Sequence, residues 1–446
     1  MKKYFMFVAV AAAGMLASCS SESLTGSDPT IEPGQEDLVP IKINVASPSA
    51  RAITRGTGTV GGIVKETGTD TYVPANNDGS EAGAVANSWA GQKINVYMLK
   101  KGTLDVAKFN SDDIYKNAQL TTPAGEAEGE AKYHAGGAAT HNYIKYYPQT
   151  GQYDFWGYRI DDAVTAAAPA VDAETNTLKV GITVDGTQDV LGAKTKDPNL
   201  SGTTLTTADL YSAKAARQAI QPTLDFKHLM TRLTFEAFAG NLDAESVTIT
   251  SIEVRPIKSI TQQGAEPAAG DTTYIKPTGT LLIAGTAPAF EQKVNWDQTT
   301  TDFSQAPWLT LKKRPSGDPN DALVALTDIA LTGTFNATTP YSESNPESKA
   351  KIGIGEAIIA PDAKFYELKI GLKQRVKKYE DSNPAEDDDM EDYSFSTIKT
   401  VVSSEANFRI GYSYDFIIKV FGLEKIQINT ILSPWMWKEN ISVVTE

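Results

Sequence analysis

The chain has 446 residues, a formal net charge of −14 and a single cysteine. Nucleic-acid recognition depends on clustered Lys and Arg, so this acidic balance argues against a nucleic-acid-binding protein. One cysteine cannot form an internal disulfide, so the stability of the fold must come from a large apolar core, which a chain of this length can bury.

The first residues have the organisation of an export signal. Lys2 and Lys3 precede an apolar run over residues 4–16, which is shorter than the ~20 residues that a transmembrane helix needs. Two small residues then lead to Cys19, an arrangement that resembles a bacterial lipoprotein signal. It implies a signal peptide over residues 1–18 and acyl chains on Cys19, and several acyl chains anchor a protein stably to a membrane. The alternative is an ordinary signal peptide with a chance cysteine.

A tether, a strand and a loop follow the cysteine. Residues 19–38 are polar with Pro and Gly and predict a flexible tether. Residues 39–45 (VPIKINV) alternate between apolar and polar residues, which predicts a half-buried strand. The loop at 46–62 is rich in Gly, Ser and Thr and contains Arg51 and Arg55. Such a loop is open to a protease, although both arginines could also be ordinary solvated residues.

The rest of the chain predicts an all-β fold. Short β-branched and aromatic runs are separated by Gly, Pro, Asn and Asp, with the spacing of β-sandwiches. Residues 56–88 read as irregular, and 207–219 is the best short helical candidate. We place a boundary after residue 290, giving an N-terminal β-sandwich domain at 39–290 and a C-terminal one at 291–446. The predicted strands lie at 94–99, 143–158 (two strands around a turn), 178–184, 247–254, 279–283, 308–312, 323–335, 352–360, 364–372, 393–402, 412–420 and 425–432.

The segment 224–239 (LDFKHLMTRLTFEAFA) changes its pattern partway. Leu224 and Phe226 are apolar at even positions, whereas Leu229, Leu233, Phe235 and Ala237 are at odd positions. A parity change within one strand predicts a β-bulge near His228. The alternative is a helix over residues 224–233. His228 itself reads as a core or bulge histidine with a hydrogen-bond partner.

The sequence contains no nucleophile elbow, P-loop or acid/base constellation, and we predict that the protein is not an enzyme. His134 and His141 lie seven residues apart without a cysteine partner and read as loop residues. The acidic run at 386–392 reads as a solvated hairpin loop, with a calcium site as the alternative. Trp435 and Trp437 share a strand face and suggest core packing or, alternatively, a sugar-binding platform.

Five blocks of sequence, taken together and in order, resemble the fimbrillins of Bacteroidales, the type V pilins and their Mfa-like relatives. The blocks are 89–97 (WAGQKINVY), 147–158 (YPQTGQYDFWGY), 189–193 (DVLGA), 224–233 (LDFKHLMTRL) and the closing series Phe408, Gly411, Tyr414, Ile426, Ile428 and Trp435.

This resemblance implies two β-sandwich domains of transthyretin-like, Greek-key topology. It also implies a lipoprotein that reaches the outer membrane surface, where an arginine-specific protease cuts after the first strand, at Arg51 or Arg55. The vacated groove then accepts a strand from the next subunit. Residues 425–446 are a candidate donor strand, and an integral last strand is the equal alternative.

The sequence therefore predicts a structural and adhesive subunit of a cell-surface fimbrium. Its expected partners are other pilin subunits, the outer membrane through the N-terminal lipid, the protease, and a host or glycan ligand. The alternative function is that of a monomeric surface lipoprotein that binds glycans through exposed aromatic side chains.

Overall fold

The computed structural model of this chain describes most of the sequence after residue 37. The described residues are 38–46, 54–55, 59–60, 63–65, 72–74, 89, 91–101, 115–123, 128–133, 143–160, 168–260, 272–285, 290–300, 302–313, 324–335, 352–378, 389–402, 407–422, 426–434 and 441–443.

Strands dominate the described residues, which confirms the prediction of an all-β protein. The strands of the first half are β1 Ile43–Ala46, β2 Thr54–Arg55, β3 Thr59–Val60, β4 Ile63–Lys65, β5 Tyr72–Pro74, β6 Lys93–Lys100, β7 Ala118–Thr121, β8 Glu128–Tyr133, β9 Tyr153–Ile160, β10 Ala170–Asp172, β11 Thr177–Thr183, β12 Val190–Thr195 and β13 Thr223–His228. Those of the second half are β14 Thr231–Ala239, β15 Val247–Ile260, β16 Thr272–Ala284, β17 Lys293–Thr299, β18 Leu309–Thr310, β19 Lys312–Lys313, β20 Val324–Ala325, β21 Ile329–Ala330, β22 Ile352–Ile359, β23 Phe365–Lys377, β24 Met390–Val402, β25 Tyr412–Val420, β26 Ile426–Pro434 and β27 Ile441–Val443.

Helical structure among these residues is confined to short pieces. The helix α1 (Ala213–Arg217) lies inside the predicted segment 207–219 and is capped by the Ser212 side chain, which accepts a hydrogen bond from the Ala215 amide. Three 3₁₀ turns are Thr207–Asp209, Asp243–Ser246 and Phe303–Gln305.

Seven strands form a closed barrel in the order β1-β13-β12-β9-β6-β7-β8, with β8 returning to β1. The inward side chains, including Ile94, Phe155 and Phe226, form one buried cluster. Gly157 of β9 is required by this packing, because a Cβ there would lie 2.9 Å from the Phe226 ring and 3.1 Å from Leu224. The predicted first sandwich is thus one sheet closed on itself.

Two larger sheets form a β-sandwich. One is nine-stranded, with a main order of β10-β11-β16-β15-β23-β24, and the other runs β20-β19-β22-β14-β25-β26-β27. Both sheets contribute to one core, in which Ile252 and Ile370 of the first meet Phe235 and Phe416 of the second. The rings of Phe235 and Phe416 are stacked at 4.9 Å. Burial of one face of each sheet fixes the register of its strands, because a shift by one residue would turn the apolar side chains towards solvent.

A third apolar cluster joins the barrel to the sandwich. Trp156 and Tyr158, on the outer face of the barrel, are buried with Val180 and Leu281 of the nine-stranded sheet. The Gln292 amide donates hydrogen bonds to the carbonyl oxygens of both units, at Gly157 (3.2 Å) and Ile283 (2.8 Å). The two units are therefore packed together through a shared apolar layer.

The chain passes from barrel to sandwich at Leu229 and Met230, between β13 and β14. The parity change was located correctly in the sequence, but its cause is a change of sheet and not the predicted bulge, and no helix forms at 224–233. The boundary predicted after residue 290 falls inside one sheet, because β16 and β17 on either side of it are hydrogen-bonded to each other.

Two local predictions need correction. Of the two strands predicted at 143–158, only β9 forms. The earlier one is reduced to an isolated bridge between Tyr146 and Pro40, because its partner is the short segment before β1. Residues 56–88 were expected to be irregular, yet they include β3, which pairs with β2, and β4, which pairs with β5.

Candidate functional site

The first strand closes the barrel. β1 runs parallel to β13, with Val45 opposite Leu224, and antiparallel to β8, with Val45 opposite Gly129. Both edges of β1 are thus paired with strands that come from distant parts of the chain. Without β1 the barrel would be an open sheet with two unpaired edges.

The residues just before β1 are also held by main-chain hydrogen bonds. The Ile41 amide donates to the Lys145 carbonyl at 2.8 Å, and the Tyr147 amide donates to the Val39 carbonyl at 2.9 Å. The Gln221 side chain donates to the Pro40 carbonyl at 3.1 Å and accepts from the Lys42 amide at 3.2 Å. Gln221 lies 181 residues from Pro40, so no signal in the sequence could have identified this contact.

Apolar side chains anchor the same segment. Val39, Ile41, Ile43 and Val45 are 9%, 5%, 1% and 0% exposed, and all four belong to the barrel core. Lys42 between them is exposed. This confirms the alternation predicted for residues 39–45. Burial of each such side chain stabilises the barrel by about 2 kcal/mol. Removal of the segment therefore destabilises the barrel unless another strand fills the same pockets.

The residues predicted for processing fall largely outside the described part of the chain. Cys19 and Arg51 lie outside it. Arg55 ends β2 and is opposite Thr59 of β3 in a two-stranded ladder. The predicted cleavage and lipidation positions therefore stay predictions.

A buried polar pair lies where the barrel meets the sandwich. His228 Nδ1 is 2.6 Å from Asp189 Oδ2, and the two side chains are 2% and 0% exposed. His228 ends β13, and Asp189 lies immediately before β12. The prediction that His228 is a core histidine with a hydrogen-bond partner is thus confirmed.

A second buried pair and two main-chain contacts follow within four residues. The Arg232 guanidinium donates from Nε (3.0 Å) and Nη2 (2.6 Å) to Glu356 Oε2. The Gly411 amide donates to the Met230 carbonyl at 2.8 Å, and the Thr231 hydroxyl donates to the Arg409 carbonyl at 2.7 Å. Gly411 has φ +73°, a conformation that favours glycine.

Three of the sequence blocks, at 189–193, 224–233 and 408–414, therefore meet at one junction. His228 and Asp189 join two strands of the barrel, and Arg232 and Glu356 join two strands of one sheet of the sandwich. Buried polar pairs of this kind fix the arrangement of the strands that carry them.

Burial also affects the tyrosines of the barrel. It raises the pKa of Tyr158 to about 12, although the hydrogen bond from its hydroxyl to Asn117 (2.7 Å) opposes that shift. Burial likewise raises the pKa of Tyr211 to about 12 and raises the pKa of Tyr115 and Tyr147. These hydroxyls stay neutral at physiological pH.

The remaining candidates have no described site. His134, His141, Trp435 and Trp437 lie outside the described residues, as do residues 386–388 of the acidic run at 386–392. The last three residues of that run are not part of the predicted loop, because they begin β24. Within the described residues, no group of three or more His, Cys, Asp or Glu side chains could hold a metal ion. No helix in that part of the chain is long and apolar enough to cross a membrane.

Comparison with known proteins establishes the family. A profile described as fimbrillin-like matches residues 83–306, half of the chain. The chain therefore belongs to the fimbrillin-like family, as the resemblance of its sequence blocks indicated. A search of curated protein sequences finds no match.

The chain is also similar to solved structures from Bacteroides and Porphyromonas species. A candidate cell adhesion protein from Bacteroides uniformis is 12% identical, with a TM-score of 0.41 over 90% of this chain and 98% of that one. A fimbrial protein from Bacteroides vulgatus is 10% identical, with a TM-score of 0.36 over 77% and 93%. The fimbrial anchor protein Mfa2 from Porphyromonas gingivalis is 10% identical, with a TM-score of 0.31 over 89% and 98%.

Proposed function

We propose that this protein is a structural and adhesive subunit of a cell-surface fimbrium that is assembled by strand exchange at β1. It is exported as a lipoprotein through Cys19, and a protease cuts after Arg51 or Arg55. The observation that carries the proposal is the position of residues 39–46. They close the barrel between β8 and β13 with four buried apolar side chains, and they end next to the arginine-containing loop.

Cutting the loop converts β1 from a covalent part of the barrel into a separate peptide. Its departure exposes two strand edges and a row of apolar pockets. A strand of a neighbouring subunit restores the hydrogen bonds and fills the pockets. Because donor and groove are different surfaces, each contact leaves a free donor and a free groove at the ends, and the assembly grows into a fibre.

The two units of this subunit are, in our proposal, the barrel and the sandwich. The strand pairing supports a division at residues 229–230 in place of one after residue 290. In this arrangement exchange occurs in the barrel, while the sandwich and the junction stay intact.

The decisive experiment is to determine the N-terminus of protein sheared from the cell surface, by mass spectrometry. We expect a chain that starts at Ala52 or Gly56 and migrates as a ladder of oligomers. The matched control is the double variant Arg51→Ala/Arg55→Ala, which should stay uncut and monomeric. A wild-type chain that starts at Cys19 and is found only as a monomer would contradict the proposal and favour the glycan-binding lipoprotein.

The donor strand is a separate question. Residues 425–446 remain a candidate, but β26 is paired along its whole length with β25, and Ile426 and Ile428 are buried in the sandwich core. These contacts support the alternative, an integral last strand. If β26 were the donor, it would have to leave the sandwich.

A disulfide that locks β26 in place decides between the two alternatives. Ile418 and Ile428 are directly opposite each other in β25 and β26, a separation that a disulfide can bridge. We expect the variant Ile418→Cys/Ile428→Cys to polymerise as wild type does under oxidising conditions. If the variant forms no polymers under oxidising conditions but forms them again after reductant is added, the C-terminal segment is the donor.

A further inference from the structure

β24 (Met390–Val402) is a long strand at the end of the nine-stranded sheet. Within the described residues it pairs only with β23, and its other edge has no partner strand among those residues. Its thirteen residues contain no proline. Residues 391–396 are exposed on both faces of the sheet. Long open edges of this kind are templates for pairing with another strand.

The open edge also carries apolar side chains. Tyr393 is 47% exposed and Phe395 is 38% exposed. Both lie on the same face of β24 as Val401, which is buried in the sandwich core, and Phe395 is opposite the buried Leu372 of β23. The apolar face of the core therefore continues outward to the edge of the sheet, where solvent now covers it.

We propose that this edge pairs with β24 of a second copy of the chain, antiparallel and about a two-fold axis at Phe395. In that register Phe395 is opposite its own copy, Tyr393 is opposite Thr397, and Glu391 is opposite Lys399. Each of the last two pairs occurs twice by symmetry. In residues 391–399, each odd-numbered side chain is thus opposite an aromatic, polar or oppositely charged side chain of the second copy.

Charge favours a second copy over another occupant. Glu391 and Lys399 lie at opposite ends of the stretch on one face, so reversing the strand brings unlike charges together at both ends. A parallel copy in register would oppose like charges. The Glu391 carboxylate is positioned on this face, because it accepts a hydrogen bond from the Tyr393 hydroxyl at 3.0 Å. Asp392, on the other face, is paired with Lys373 of its own sheet at 2.8 Å.

This pairing is independent of strand exchange at β1, since it involves a different sheet and requires no cleavage. It can therefore be tested in the uncut full chain, with Arg51→Ala and Arg55→Ala as background. A lateral contact of this kind would join subunits side by side, and its presence or absence says nothing about whether the barrel exchanges its first strand.

The first test is oxidative cross-linking on cells. Cys19 is the one cysteine of the natural chain. A cross-link that appears only after a second cysteine is introduced therefore identifies a contact at the introduced position. Phe395→Cys should give a dimer that reductant dissolves, because the two Cα atoms at the axis lie within disulfide range. The matched control Tyr393→Cys places the two cysteines ~13 Å apart, four residues along the strand, and should stay monomeric. No dimer with Phe395→Cys, equal dimer in both variants, or a product of another mass would overturn the proposal.

The second test exchanges the charges. In sedimentation velocity of the full chain in detergent, Glu391→Lys or Lys399→Glu alone should raise the dimer dissociation constant about tenfold, because each change converts two attractive pairs into two repulsive ones. The double variant Glu391→Lys/Lys399→Glu should return to the wild-type value. A wild-type chain that is monomeric throughout, or a double variant as weak as the single ones, would refute this register.

Discussion

At the scale of single residues, a buried polar pair lies on each side of the junction between barrel and sandwich. Arg232 and Glu356 have side chains that are only 9% and 11% exposed. Asp189 and His228 are buried even more completely. Removing one member of such a pair leaves the other charge in a medium that solvates it poorly, so these residues are far more sensitive to substitution than surface ion pairs.

We expect Arg232→Met to lower the free energy of unfolding by about 3 kcal/mol, because the Glu356 carboxylate then lacks the guanidinium that neutralises it. The double variant Arg232→Met/Glu356→Leu should recover much of this loss, since it buries no carboxylate at that position. Chemical denaturation of both variants measures the difference. Equal losses in the two variants would show that the unpaired carboxylate is not the cause of the lost stability.

These pairs could not have been assigned from the sequence. His228 and Arg232 stand in a block that the sequence analysis singled out, but Glu356 lies 124 residues beyond Arg232. Acidic residues are abundant along the chain, so nothing marks one of them as the partner. The choice is made by the pairing of β14 with β22, which brings the two strands side by side.

At the scale of elements, β1 is the strand on which the proposed assembly depends. Its main chain is paired on both edges, yet its side chains decide how firmly it stays. Ile43 is 1% exposed in the barrel core, and its neighbour Lys42 is exposed. The two positions allow a comparison between a buried and an exposed side chain of the same segment.

Ile43→Ala should lower the free energy of unfolding by about 3 kcal/mol, from lost burial and the cavity left behind. After cleavage of the loop, the same change should speed the release of the first strand. Lys42→Ala should change the free energy of unfolding by no more than about 0.5 kcal/mol and should leave the rate of strand release close to that of the wild type. Denaturation of the intact chain and peptide release from the cut chain are the two measurements. If both variants behaved alike, the apolar pockets would not be what holds β1.

At the scale of the whole molecule, tyrosines inside the barrel and at its contact with the sandwich have hydroxyls that burial keeps neutral. An ionised phenolate is less favourable there than in water, so the pKa of each is raised in the folded state. A raised pKa means that the stability contributed by the neutral hydroxyl is fully present below the unfolded value of 10. It is lost as the pH rises through the folded value, which is about 12 for Tyr158 and Tyr211.

The protein should therefore lose stability between pH 10 and pH 12. Denaturant titrations at several pH values in this range would measure the slope, and Tyr158→Phe should make that slope shallower because it removes one titrating group. A free energy of unfolding that stays constant up to pH 12 would contradict the expected role of burial.

The sequence by itself determined the properties that depend on neighbouring residues. Alternation of apolar and polar side chains is local, so the buried face of residues 39–45, the all-β class and the parity change at 224–239 were all predictable. The blocks at 89–97 and 224–233 also indicated the family that the comparison later established.

Only the tertiary structure decided which strands are partners. β1 pairs with β13 nearly 180 residues away, the sheets change at residues 229–230, and β24 is left at an edge. A strand exposes the same hydrogen-bonding groups to every possible neighbour, whatever its sequence. The choice of neighbour comes from how whole faces pack, and that packing depends on the complete chain.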